Sequence, residues 1–304
     1  YAQSYSDSLT YTDAELEAAY QADPKTYDKA AWEYVVVSGA ADSTTDADGN
    51  TVQATDEEQA AAKETAKATA EEILAAYNSG KSLESIAGNY EKATYYNTTD
   101  ATYYDGVVGN WLFDDARKDG DTEILEVGTS YYVSLFHSRG REEYKTVDIR
   151  HILITPETGT KAQGDEGYED EQTQLKAAAR TKAEEILAQW KSGEATEDSF
   201  AQLALENSAD GSKYDGGLYT RVTKGWAVEE FNDWCFDASR KDGDTGIVDT
   251  TYGSHVMYFV GYDLPAWAAS VTSDLQEKAS SEWSTALSEN ADVQQSDFGM
   301  KFVG

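Results

Sequence analysis

The sequence predicts a mixed fold of helices and strands, laid out twice along the chain. Three observations predict it. A strand, helix, short helix, Gly-rich turn, helix and strand follow one another from Val147 to Tyr262, and the same order occurs in shorter form before it. AEEILA stands at 70–75 and again at 183–188, and WLFDDARKDGDT (111–122) agrees with WCFDASRKDGDT (234–245) at nine of twelve positions. The apolar residues follow helical spacing in some stretches and form β-branched runs in others. The first string is displaced by 113 residues and the second by 123, so the second copy holds ten extra residues between Ala183 and Trp234.

The elements divide the chain into a helical lead-in (1–30), a first copy (31–140), a second copy (145–263) and a C-terminal helix with a tail (264–304). In the lead-in, Thr12 and Glu15 form a capping box before DAELEAAY, and Asp23-Pro24 ends that helix. WEYVVVS (32–38) is a strand. The polar GAADSTTDADGNT (39–51) reads as a turn or hairpin, because a calcium loop centred on Gly49 would put Thr44 and Thr55 at positions that need acids. Thr55 and Glu58 cap a helix over 56–78, whose face is Ala66, Ala70, Ile73, Leu74 and Tyr77. A short helix at 83–90, a helix from Trp111 to Arg117 and a strand over 128–140 complete the first copy.

The second copy opens with the strand RHILIT (150–155) and an acidic loop (157–171). Leu175, Ala179, Ala183, Ile186, Leu187 and Trp190 then trace a helix face, and Phe200, Leu203 and Ala204 mark a short helix. Gly216-Gly217 sits in a turn, Trp234 to Arg240 forms a helix, and YGSHVMYFVGY (252–262) is a strand. Leu264-Pro265 opens a long helix with the stripe Trp267, Val271, Leu275, Ala279, Trp283 and Leu287, a docking face for residues 1–30 or for a domain. DFGMKFVG (297–304) is an extended tail.

The 304 residues suffice for two cores, and 40% of them are hydrophobic. A net charge of −33 disfavours nucleic acid and anionic membranes, and favours neutral or basic partners. Cys235 is the only cysteine, which excludes an internal disulfide and a CxxC zinc or redox site. No apolar run is long enough to span a bilayer. The chain starts at Tyr1, consistent with an export signal or lipid anchor having been removed.

The second copy resembles the parvulin-type peptidyl-prolyl isomerases over about Val147–Tyr262. RHILI matches the family's first strand with its histidine, and AEEILAQWKSG with SFAQLALENSADGS matches the helices and active-site turn. GGLYTRVTKGWAVEEF matches the Gly-Gly-x-Leu stretch leading to a pocket Phe, and DTGIVDTTYGSHVMYF matches the final hairpin with the second histidine. The wider plan resembles the extracellular foldases of Gram-positive bacteria, in which helical segments flank isomerase modules anchored outside the membrane. The resemblance implies an α+β fold: two tandem parvulin-like modules, each a four-stranded antiparallel sheet surrounded by helices.

The chemistry implied is rotation about an X–Pro bond, over a barrier of ~18–20 kcal/mol. Rotation breaks no bond and requires no cofactor or metal. An apolar pocket grips the Pro ring and excludes water, and polar groups support the carbonyl of the twisted amide. The resemblance assigns His151 and His255 as a paired-histidine centre. Asp210 polarises the carbonyl environment or orients His151, or else only closes an Asx turn with Gly211 and Ser212. Leu218 and Phe231 match the pocket wall. Ala227 stands where the family usually has Met, with Trp226 beside it to refill the space, and Tyr252 lines the rim. Cys235 is read as buried packing, and His137 is assigned no role.

Aligned on the repeats, Tyr34 of the first copy stands at His151 and Tyr132 at His255. The first copy is therefore expected to be a degenerate parvulin-like module without isomerase activity. Its Tyr-rich surface (Tyr95, Tyr96, Tyr103, Tyr104) either binds extended peptide or covers an interface. The acidic 157–171 loop argues against phosphoserine-proline recognition. The expected partners are unfolded or partly folded exported proteins with X–Pro bonds, outside the cytoplasmic membrane of a Gram-positive bacterium. The alternative is a non-catalytic holdase.

Overall fold

A computed structural model describes residues 5, 6 and 8–290. It forms two compact units, the first Thr10–Glu142 and the second Glu143–Gly304 together with Tyr1–Leu9.

In the first unit, helix α1 (Asp13–Ala22) begins as its sequence dictates. The Thr12 N–H donates to the Glu15 carboxylate at 2.8 Å while the Thr12 hydroxyl accepts the Glu15 N–H, satisfying two orphan donors reciprocally. A one-turn helix α2 (Pro24–Tyr27) follows, with Pro at its first position, where a missing N–H costs nothing. Strands β1 (Lys29–Val37), β4 (Ala93–Ala101), β5 (Thr122–Val127) and β6 (Ser130–Gly140) form an antiparallel sheet in the order β4-β1-β6-β5. The segment 39–51 is part of a turn closed by the two-residue strands β2 (Thr44–Thr45) and β3 (Thr51–Val52). There the Asp46 carboxylate accepts the N–H groups of Asp48 and Asn50.

Alternation along β1 separates two apolar faces. Val35 and Val37 pack against helices α3 (Asp56–Asn78) and α4 (Leu83–Ala87) through Ala66, Ala70, Ile73, Leu83 and Ile86. Ala30 and Trp32 face helix α5 (Val107–Leu112) through Val108, Trp111 and Leu112.

The second unit has the same plan. Strands β7 (Lys145–Ile154), β8 (Leu218–Val222), β9 (Thr245–Thr250) and β10 (Gly253–Pro265) pair antiparallel in the order β8-β7-β10-β9. Helices α6 (Tyr168–Ser192) and α7 (Glu197–Asn207) cover one face, burying Ala183, Ile186, Trp190, Phe200 and Ala204 against Ile152 and Val256. Full burial of a side chain such as Ile186 contributes about 1.5–3 kcal/mol. Helix α8 (Glu229–Cys235) covers the other face, with Phe231 and Cys235 packed on Val147, Ile149, Val248, Met257 and Phe259. Burial pushes the Cys235 thiol up to about 12.

The repeated string builds the same corner in both units. Arg117 lies over the Trp111 ring at 4.6 Å and Arg240 over Trp234 at 4.0 Å, each donating to its tryptophan's carbonyl. Gly120 and Gly243 then donate to the Phe136 and Phe259 carbonyls. The expected helices Trp111–Arg117 and Trp234–Arg240 are displaced: both helices start earlier and stop at Leu112 and Cys235. After Phe113 and Phe236, Asp114 and Asp237 accept the N–H of Ala116 and Ser239, an Asx geometry that competes with continued helix.

Helix α9 (Ala266–Asn290) follows Pro265, which ends β10 rather than lying within the helix. Trp267 and Val271 of its stripe are buried, whereas Leu287 is exposed. The N-terminal residues dock on it: Tyr5 stacks on Trp283 at 5.2 Å and Gln276 donates to the Leu9 carbonyl. The stretch 297–304 lies outside the described residues. Among the described residues, no helix is long and apolar enough to cross a membrane.

Candidate active site

Strands β7 and β10 are neighbours, with His151 opposite Met257 and His255 opposite Leu153. This two-residue offset places both imidazoles on the face covered by α8. Both side chains are buried, at 3% and 5% exposure, with their rings stacked 5.3 Å apart. Phe231 of α8 meets both edge-on, at 5.5 and 5.3 Å.

The polar atoms form one chain. The His255 Nε2 lies 2.9 Å from the Thr250 hydroxyl, the two Nδ1 atoms are 3.1 Å apart, and the His151 Nε2 lies 3.3 Å from the Asp210 carboxylate. Chemistry fixes its direction. An ionised carboxylate only accepts, so the His151 Nε2 carries a proton and, in the neutral ring, Nδ1 accepts. The His255 Nδ1–H therefore donates to His151, and the His255 Nε2 accepts from Thr250. Each imidazole then has one donor and one acceptor nitrogen, and each fixes the other's tautomer.

Burial holds both imidazoles in the neutral form. It lowers the His255 pKa to about 4, with proximity of His151 acting the same way. His151 is also lowered by burial, against the opposing pull of Asp210. Asp210 itself sits at about 2: its partial burial works upward, but the Ser212 hydroxyl and N–H, His151 and the Tyr219 hydroxyl outweigh it. The Asp210 Oδ1 accepts from Ser212 Oγ at 2.6 Å, Ser212 N at 2.8 Å and Tyr219 Oη at 2.9 Å. The Asx turn and the contact with His151 thus use one oxygen and are both present.

The turn is held close to β7 by Gly217. Its φ is +76°, its carbonyl accepts the His151 N–H at 2.9 Å, and a Cβ there would overlap the His151 carbonyl oxygen. Such an approach requires glycine.

The structure brings His151, Asp210, His255 and Phe231 together. Ala227 packs partly buried against the same cluster, and Trp226, half exposed, lies 4.7 Å from Tyr219 and 6.2 Å from Phe231. Leu218 is not on this wall. It pairs with Arg150, on the sheet face opposite His151, and Tyr219 takes the inward position 5.4 Å from His151. Tyr252 is 63% exposed in the β9–β10 turn, where its N–H donates to the Thr250 hydroxyl. Tyr219 and Thr250 were missed from the sequence, and Ser212 was read there only as part of the Asx turn. The signal for Tyr219 was its position two residues past Gly217, on the same side of β8. His137 pairs with Glu33 at 2.9 Å in the first unit.

Three kinds of comparison bear on this arrangement. The model described as the PPIC-type PPIASE domain matches residues 133–260. The protein named Foldase protein PrsA 1 from Listeria innocua is 29% identical over 142 residues, which cover 45% of this chain and 39% of that protein. The Listeria monocytogenes serovar 1/2a protein of the same name is 28% identical over the same shares. The chain thus spans about two-fifths of the length of these relatives. The crystal structure of PrsA from Bacillus subtilis aligns with a TM-score of 0.33 at 22% identity, covering 50% of this chain and 52% of that one.

Proposed function

Since this chain carries a PPIC-type peptidyl-prolyl isomerase domain, homologous to the PrsA foldases, we propose that the protein accelerates X–Pro isomerisation in unfolded exported proteins and that turnover resides in its second unit. The observation that carries the reading is the Thr250–His255–His151–Asp210 chain, with both imidazoles buried under Phe231. A prolyl ring held against Phe231, Trp226 and Ala227 places its preceding carbonyl near polar groups that are already oriented. Preorganised groups stabilise a twisted amide without reorganising during rotation. Lowering the barrier by about 4 kcal/mol would give roughly a thousand-fold acceleration.

In this reading the first unit is a second, degenerate parvulin module in tandem. The support is its strand order, equal to that of the second unit, and its register: Tyr34 pairs with Ser134 as His151 pairs with Met257. Tyr34 and Tyr132 thereby occupy the two histidine positions, and they lack the imidazole relay. The proposed setting is outside the cytoplasmic membrane of a Gram-positive bacterium, with any membrane attachment supplied by a lipid anchor.

The test is cis-to-trans conversion of an X–Pro peptide panel by the whole chain and by its His255→Ala variant. The parent should accelerate conversion and the variant should lose most of that acceleration while keeping its far-UV CD spectrum. A holdase is the second reading, favoured by Ala227 at the Met position of the pocket. No acceleration by the parent, with suppression of client aggregation intact, would establish it instead.

A further inference from the structure

The first unit has an aromatic face where the second unit has its histidines. Tyr34 on β1 is flanked across the sheet by Tyr96 on β4 at 5.0 Å and Tyr132 on β6 at 5.6 Å, with interplanar angles of 17° and 8°. Trp32 stacks on Tyr34 at 3.9 Å and 12°. Tyr104 adds an exposed ring at the margin. Its backbone is crossed so closely by Gly109 that a Cβ at Gly109 would overlap the Tyr104 carbonyl. Two of the four tyrosines expected on this surface are elsewhere engaged. Tyr95 points to the other face and donates to Glu33, and the Tyr103 hydroxyl donates to Asn110.

The hydroxyls of Tyr34, Tyr96, Tyr104 and Tyr132 have no hydrogen-bond partner among the described residues. Nor does the indole N–H of Trp32, whose side chain is only 5% exposed. Burial raises the Tyr34 phenol, and the neighbouring phenols of Tyr132, Tyr96 and Tyr104 act the same way, as four converging hydroxyls should. Parallel rings with unused donors make a surface that recognises an apolar ligand carrying exposed carbonyls.

We propose that this face binds an extended, proline-bearing peptide segment in the polyproline II conformation. The prolyl rings lie on Tyr34, Tyr96 and Tyr132, which the buried Trp32 backs from the core side, and the phenol hydroxyls donate to the peptide carbonyls. Three features select this occupant. Tyr96 and Tyr132 stand on the strands either side of β1, about 9–10 Å apart at ordinary strand spacing, close to one polyproline II turn of about 9 Å. Prolyl amides present carbonyls without competing N–H donors, matching a surface that offers donors, and their helix is pre-ordered. The net charge of −33 disfavours acidic ligands and suits a peptide flanked by lysine. The inference does not rest on turnover in the second unit, because the rings and hydroxyls belong to the first.

The test titrates the whole chain with a capped hexaproline flanked by lysines, following aromatic proton shifts of Tyr34, Tyr96 and Tyr132 by NMR. Saturable shifts on these rings are expected. Tyr96→Ala and Tyr132→Ala should each weaken them at least fivefold. Both should leave the conversion rate of a short X–Pro tetrapeptide at the parent value. Unmoved ring signals, equal affinity in parent and variants, or preference for a linear N-acetylglucosamine oligomer over the peptide would each overturn the proposal. A parent that shows the ring shifts but no isomerisation would refute the catalytic reading and leave this one standing.

Discussion

Replacing Gly217 by Ala tests how the turn after Asp210 is held against β7. Gly217 and Gly225 share a φ of +76°, but nothing lies within 4 Å of a Cβ at Gly225. Gly225→Ala therefore carries only the left-handed backbone penalty, about 1–2 kcal/mol. Gly217→Ala carries that penalty and more. Its Cβ would overlap the His151 carbonyl and lie 3.1 Å from the Ala204 Cβ, an overpacking cost of about 1–3 kcal/mol. Displacement also weakens the 2.9 Å bond from the His151 N–H, about 0.5–1.5 kcal/mol. The expected total is roughly 3–6 kcal/mol, against a typical domain stability of about 5–15 kcal/mol. Native-state amide exchange in low urea, read at the β7 and β10 amides, measures the opening of the second unit in the whole chain. Equal destabilisation by the two substitutions would refute the close approach.

Two further outcomes follow from the polar chain. Tyr219→Phe removes the 2.9 Å donor to Asp210, so the Asp210 carboxyl should titrate above its present value of about 2, and stability should fall by about 1 kcal/mol. Carboxyl carbon NMR checks this, and an unmoved midpoint would show the bond to be idle. For His255 the folded pKa, about 4, lies below its ordinary 6.5, so the unfolded chain takes up the proton first. Its contribution to stability is present above 6.5 and is lost as pH falls towards 4, levelling off below. An imidazole NMR titration should give a midpoint near 4; one at 6.5 would remove the buried neutral pair.

The capping boxes at Thr12 and Thr55 were legible because their partners lie three residues away, and the helix faces because burial on one side imposes a 3.6-residue period. The edge strand β4 was not legible. None of its nine residues is fully buried and the alternation of exposed and half-buried positions breaks after Tyr96, so ATYYNTTDA carries little period-two signal. The helix ends at Leu112 and Cys235 were missed because the W-x-F spacing continues apolar past the last turn, while the Asp after Phe redirects the backbone. The paired histidines were recognisable from their motifs. Tyr219 in place of Leu218 was not, because the inward side of β8 is decided by pairing with β7, Leu218 opposite Arg150 and Tyr219 opposite Ile149, partners far away in sequence. No local pattern records that register.

The buried thiol of Cys235 has a consequence for measurement. It is the only cysteine in the chain, it is fully buried, and its ionisation is pushed up to about 12, so in the closed protein it is neither nucleophilic nor reachable. The first unit contains no thiol at all. A thiol-specific reagent therefore labels the unmodified protein only when α8 lifts from the sheet, and the labelling rate becomes a clock for opening of the second unit alone, even in a mixture with unfolded clients that lack cysteine.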